Sequence, residues 1–288
     1  MRLAALFLLI AVTAAAADNW KLVWSDEFNG AKSSAPDAKK WTYDLGSSGW
    51  GNHELENYTN SRENSFLDGD GHLVIRAVKA NDGYTSARLK TQGLYSVGYG
   101  RVAARLKLPK GQGIWPAFWM LGDDIKTADW PKCGEIDVME FIGKTPETVY
   151  FTLHGPGFSG GQAISKSAPL AGTDGFHVYG IEWAPDSLTF LLDDQPVRTL
   201  APKDLPAGGK WVYDHPHFLL LNLAVGGDWP GNPDAATVFP QDYVIDWVRG
   251  GQGGGGGGTC VRLPVPLGTA FESKRRDAGS DAKTLLSN

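Results

Sequence analysis

The sequence predicts an all-β fold, an antiparallel β-sandwich of jelly-roll type. Three observations carry that reading: short β-type runs recur along the chain, turn signals separate them, and no amphipathic helical period of useful length appears. The runs fall at 21–28, 72–79, 101–108, 115–121, 148–154, 177–183, 188–192, 218–225 and 243–248. Asp68-Gly69-Asp70-Gly71 leads into the second, Pro109-Lys110-Gly111 closes the third, and Ala184-Pro185-Asp186 separates 177–183 from 188–192. Within 101–108 the apolar residues Val102, Ala104, Leu106 and Leu108 alternate with others and share one face.

One further strand is expected at Gly134-Glu135-Ile136-Asp137-Val138-Met139-Glu140. Alternation points Glu135 and Asp137 the same way and would send Glu140 to the opposite face. A one-residue β-bulge near Val138-Met139 restores Glu140 to the first face. The outer two Cα atoms then stand four effective positions apart, roughly 13 Å at about 3.3 Å per residue, so the Glu side chains lean inward over the shorter Asp137. Three carboxyls on one wall raise one another's pKa values. A retaining glycosidase uses such a pair, one carboxylate as nucleophile and one carboxylic acid as proton donor. In that reading Glu135 is the nucleophile, Glu140 the general acid/base and Asp137 tunes their charge. A metal site and a solvated edge strand are the alternatives; the apolar Ile136, Val138, Met139, Phe141 and Ile142 speak against the edge strand.

The flanks of the chain read differently from its centre. Arg2, the apolar run 3–12 and Ala15-Ala16-Ala17 form an export signal over residues 1–17, too short to span a bilayer, with the mature chain starting near Asp18. The expected domain is 18–250, and 251–288 reads as a glycine-rich linker with a polar, disordered tail. Net charge is −5, which disfavours a phosphate-backbone partner. No segment after the signal is long and apolar enough to enter a membrane, and a monomer is the default. The 11 Trp suit stacking on sugar rings as well as core filling. Cys133 and Cys260 are too few for a disulfide framework, and a bridge between them stays open.

Glu-Ile-Asp-Val-Met-Glu at 135–140, with its extra Met139, resembles the catalytic signature of family 16 of the glycoside hydrolases in its laminarinase (endo-β-1,3-glucanase) form. Further stretches resemble the same subgroup in the same order: Gly49 to Thr59, Tyr84 to Arg88, Gly113 to Leu121, Thr152 to Gly160 and Leu221 to Gly231. The resemblance implies a concanavalin A-like jelly roll, a secreted enzyme acting on β-1,3-glucan, and no cofactor for catalysis. It implies that Asn52, Arg88, Trp115, Trp119, His154, Asn222 and Trp229 contact substrate, with His154 near Glu140 and Glu54 orienting Asn52. It further implies a structural Ca²⁺ held by Glu27, the Gly71 carbonyl and Asp246. Mixed-linkage glucan, a galactan, and a non-catalytic glucan-binding role stand as rivals. The chain departs from the family pattern after Arg249, where Gly250-Gly251-Gln252 replaces the usual strand ending.

Overall fold

The computed structural model describes residues 20–172 and 174–253, together with the backbone of 260–262. The expected signal at 1–17, residues 254–259 and the tail beyond 262 lie outside the described residues. Two sheets face each other across an apolar core. The first runs in space through Gln195–Leu200, Ser187–Leu192, His177–Ala184, Gly100–Lys107, Gln241–Gly253, Leu73–Ala80, Gly83–Ser86 and Glu56–Tyr58. The second runs through Ile164–Pro169, Thr148–His154, Glu135–Glu140, Ile114–Gly122, His217–Val225, Arg88–Lys90 and Thr42–Asp44. Among the described strands every pairing is antiparallel except that of Glu56–Tyr58 with Gly83–Ser86. All nine runs expected from the sequence are strands. No helix among the described residues is long and apolar enough to cross a membrane.

Period-2 alternation builds both layers. Val102, Ala104, Leu106 and Leu108 enter the core from the first sheet, and Leu219, Leu221, Leu223 and Val225 from the second. The opposite side of His217–Val225 is buried as well. There Phe218 and Leu220 pack with Leu121 and Cys133 beneath the loop that follows Gly122. Both faces of that strand are buried, which explains its near-continuous apolar sequence, with Asn222 as a polar residue on the side of Phe218 and Leu220. Cys133 is buried and unbridged.

The glycine-rich ending is partly strand. Gln241–Gly253 continues past Arg249, and Gly250–Gly253 pair with Trp20–Trp24. This corrects the expectation that the linker begins at 251. Tyr95 supplies the reason: stacked on Trp24 at 4.5 Å, its hydroxyl would lie 2.2 Å from any Cβ at position 250. The ring fills the space that a side chain on this strand would otherwise take. Beyond it, Cys260–Arg262 pair with Ser96–Gly98, so the tail also contributes one short strand.

Candidate active site

The bulge is present and sits where alternation requires it. Along Ile114–Gly122, Glu135 pairs with Leu121, Asp137 with Trp119, and Glu140 with Ala117, the register shifting between Phe118 and Trp119. On the other side Glu135 pairs with His154, Asp137 with Thr152 and Glu140 with Tyr150, with the same irregularity. Val138 and Met139 are both fully buried in the core. A disrupted ladder costs about one hydrogen bond, ~1 kcal/mol, whereas each buried side chain contributes about 1.5–3 kcal/mol. Packing therefore holds the bulge, and the bulge returns Glu140 to the face of Glu135 and Asp137.

The three carboxyls sit in a cleft of about 1100 Å³. Burial pushes Glu135 up to about 8, and the Asp137 charge adds to it. Burial likewise lifts Asp137 to about 7, while its hydrogen bond with Glu135 works against the rise. Glu140 is raised well above the ordinary carboxylate range by burial and then by the charge of Asp137. Two neighbours hold each Glu in place. Trp130 Nε1 donates to Glu135 Oε2 at 2.7 Å, and His154 Nε2 stands 3.8 Å from Oε1. Trp115 Nε1 donates to Glu140 Oε1 at 3.2 Å, and Thr152 Oγ1 to Oε2 at 3.3 Å. The site thus keeps a proton on Glu140 and lets the Glu135–Asp137 pair share another.

His154 stands in direct contact with Asp137 and close to Glu135, and within electrostatic reach of Glu140. Its Nε2 lies 3.2 Å from Asp137 Oδ2, because strand register sets it opposite Glu135 and leaves Thr152 and Tyr150 to face Glu140. Gly160 N–H donates to its Nδ1 at 3.1 Å. A neutral ring so held carries its hydrogen on Nε2, toward the acids. Glu135, Asp137 and His154 offer ligand atoms within 4.8 Å of one another, yet a cation would need the Nε2 lone pair. The cluster therefore suits proton sharing better than metal binding. His154→Ala is expected to lower kcat about ten- to a hundredfold with little change in Tm; a fall in Tm with kcat unchanged would overturn this.

All three expected tryptophans line the cleft, as do Asn52, Arg88 and Asn222. Trp229 meets Trp115 edge-on at 5.5 Å and Tyr150 at 4.9 Å, so an aromatic wall stands at the Glu140 end. Arg88 is less available than its guanidinium fork suggested. Its Nε lies 3.0 Å from Asp44 Oδ2, and its Cζ lies 4.8 Å from the Trp50 ring and 4.6 Å from that of Trp119. It acts as a spacer that sets two indoles at a fixed separation. Asn222 is likewise engaged: Oδ1 accepts from Trp119 Nε1 at 2.7 Å, and Nδ2 donates to Tyr58 Oη at 3.0 Å. Asn52 Nδ2 donates to Glu54 Oε1 at 2.9 Å, so Glu54 orients Asn52 as expected.

The implied Ca²⁺ donors do not form a cation site. Arg249 grips Glu27 through Nε and Nη2 at 2.9 and 2.8 Å. Arg105 Nη1 holds Asp246 Oδ2 at 2.5 Å, and His72 Nε2 stands 3.9 Å from Oδ1. Gly71 occupies a turn with φ 87°. Two carboxylates already matched by guanidinium groups leave little charge for a dication.

Sequence reading passed over Trp130, Trp50, Tyr150 and Thr152, all of which line the cleft. Tyr150 and Thr152 were within reach of it, since they alternate with His154 on one strand. Trp130 comes from a loop, 45% exposed, and its only sequence signal is its place five residues before Glu135.

Comparison with known proteins agrees with this geometry. The model of the Glycosyl hydrolases family 16 matches residues 52–249. A Beta-glucanase from Rhodothermus marinus is 42% identical over 251 residues, covering 81% of this chain and 85% of that protein. A Glucan endo-1,3-beta-glucosidase from Cryptopygus antarcticus is 36% identical over 267 residues, covering 84% of this chain and 97% of that protein. The crystal structure of the laminarinase catalytic domain from Thermotoga maritima superposes with a TM-score of 0.76 at 45% identity, covering 81% of this chain and 98% of that one. With the carboxyl-bearing bulged strand, the sandwich and these matches in agreement, the chain belongs to family 16 of the glycosyl hydrolases.

Proposed function

We propose that the protein is an exported endo-β-1,3-glucanase that cleaves internal bonds of laminarin-type glucans with net retention. One observation carries the chemistry: the bulged strand sets Glu135, Asp137 and Glu140 side by side in an aromatic-walled cleft, with the carboxyl of Glu140 raised well above its ordinary range. Glu135 attacks the anomeric carbon as the glycosidic C–O bond breaks, and Glu140 passes its proton to the leaving oxygen. A water then loses a proton to Glu140 and adds to the anomeric carbon, releasing Glu135 as carboxylate. Asp137 and His154 balance charge at Glu135 as it gains and loses its covalent bond. The relatives' names glucan endo-1,3-beta-glucosidase and laminarinase support the β-1,3 linkage.

The test uses protein recovered from the culture medium, whose N-terminus is expected near Asp18. Reducing ends released from laminarin are measured beside lichenan and agarose, and the anomeric configuration of the first product is followed by NMR. Mixed oligosaccharides from laminarin with β-configured new ends are expected. Cleavage of lichenan or agarose alone would replace the substrate, an α-configured first product would replace the mechanism, and binding without release would make the protein a glucan-binding one.

A further inference from the structure

Trp130 reaches Glu135 from a loop, 123–134, that leaves the second sheet after Gly122 and returns at Glu135. Its indole is 45% exposed, so packing does little to place it. Besides Glu135, the ring meets only His154 among the described aromatic contacts, with centroids 5.9 Å apart. Its position comes instead from the turn in which it sits. Cys133 N–H donates to Asp129 O at 2.9 Å and Gly134 N–H to Pro131 O at 3.2 Å, closing the backbone around Trp130. Where that turn stands over Glu135 depends on what holds Cys133.

The Cys133 carbonyl is taken by His215, whose Nε2 lies 3.1 Å away. A carbonyl only accepts, so Nε2 carries the hydrogen. Asp124 Oδ1, at the start of the loop, stands 3.0 Å from the same nitrogen, and Asp214 Oδ1 lies 3.3 Å from Nδ1. One imidazole thus ties the exit of the loop to its entry. The knot is tight: a Cβ at Gly122 would lie 2.1 Å from Cys133 O, 2.5 Å from His215 Nε2 and 2.9 Å from Asp124 Oδ1. His217 steadies the knot, its Nδ1 donating to His215 O at 2.9 Å. The same segment supports the other neighbour of Glu135, since Tyr213 Oη donates to His154 O at 2.9 Å. We propose that His215 is a positioning residue: by holding the Cys133 carbonyl beside Asp124 it fixes the turn that brings Trp130 to Glu135. This rests on the glucanase reading of the site, whose steps do not use His215.

A loop that has slipped takes its donor off Glu135, and this has a signature. Burial and the Asp137 charge raise Glu135, and the Trp130 N–H opposes that rise by favouring the ionised form. Loss of the donor therefore moves the acid limb of the pH profile upward. Asp137, Glu140, His154, Cys133 and Tyr213 also face Glu135, while Asp124, Asp214 and His217 face His215; every variant keeps all of them. The experiment is kcat and KM on laminarin from pH 4 to 8, with Tm alongside. It compares the parent, His215→Ala, His215→Gln, Trp130→Phe and the double variant His215→Ala/Trp130→Phe. The Gln amide offers Cys133 O an N–H, whereas Ala has no donor; His215→Leu serves if His215→Ala does not fold.

His215→Ala should lower kcat about five- to tenfold, leave KM within about twofold, and raise the acid limb by about half a pH unit. His215→Gln should recover most of both effects. The double variant should be no slower than Trp130→Phe, because the effect of the imidazole runs through the indole. Losses that multiply in the double variant would overturn the positioning role. So would a His215→Ala variant that has a lower Tm but the parent's kcat and acid limb. Either result leaves the glucanase reading intact. A parent inactive on laminarin at every pH would remove the glucanase reading, and this inference with it.

Discussion

Glu135→Gln is expected to lower laminarin hydrolysis by about 10⁴-fold or more while laminari-oligosaccharides still bind. The amide keeps the shape and can still meet Trp130, but it cannot form the glycosyl ester on which both steps depend. The same substitution should stabilise the fold in a pH-dependent way. The carboxyl of Glu135 moves from its ordinary 4.5 to about 8 in the folded chain. Its contribution to stability is therefore complete below pH 4.5 and is lost as pH rises toward 8, because the unfolded chain releases the proton first. Glu135→Gln escapes that loss. Its Tm should exceed the parent's by a few degrees at pH 8 and match it near pH 4. Thermal melts at the two values check this, and a variant no more stable at pH 8 than the parent would contradict the buried, proton-holding environment assigned to Glu135.

Glu140→Gln should cost about 10²- to 10⁴-fold on laminarin, and the loss should depend on the leaving group. A β-glucan oligosaccharide with a dinitrophenolate leaving group needs no proton to depart, so the first step stays fast. Water is then left without its base and the glycosyl-enzyme accumulates. Rapid-quench kinetics should show a burst, and added azide, a nucleophile that needs no base, should restore turnover. The parent's pH profile belongs to the same account. Its acid limb should lie above the ordinary Glu value of 4.5, since the Glu135–Asp137 pair must lose a proton before attack. Its alkaline limb should report Glu140. An equal loss on the activated substrate would place the proton donor elsewhere.

Much of this was legible in the sequence because it depends on parity. Alternation along a strand assigns faces, and Glu135, Asp137 and Glu140 could share one only through a bulge at Val138-Met139. The long strands were legible for the same reason. Thr42–Asp44, Glu56–Tyr58, Ser65–Leu67 and Arg88–Lys90 were not, since three residues contain no period. The partner of His154 was hidden because it depends on cross-strand register, which one strand's sequence does not contain. The guanidinium of Arg88 looked free for substrate, since Asp44, Trp50 and Trp119 reach it from distant parts of the chain. Likewise, 250–253 carried the composition of a linker, and the Tyr95 ring, which leaves no room for a Cβ at Gly250, comes from a distant part of the chain.

The last long strand also bears on when the domain can fold. Gln241–Gly253 is hydrogen-bonded to three others, Gly100–Lys107, Leu73–Ala80 and Trp20–Asp26, so the first sheet is built around residues that are synthesised late. Until they emerge, the first strand of the domain has no neighbour and the sheet is split. A growing chain therefore cannot complete the sandwich and bury the catalytic strand against it. The order of synthesis thus delays closure of the sandwich until nearly the whole described domain has been made.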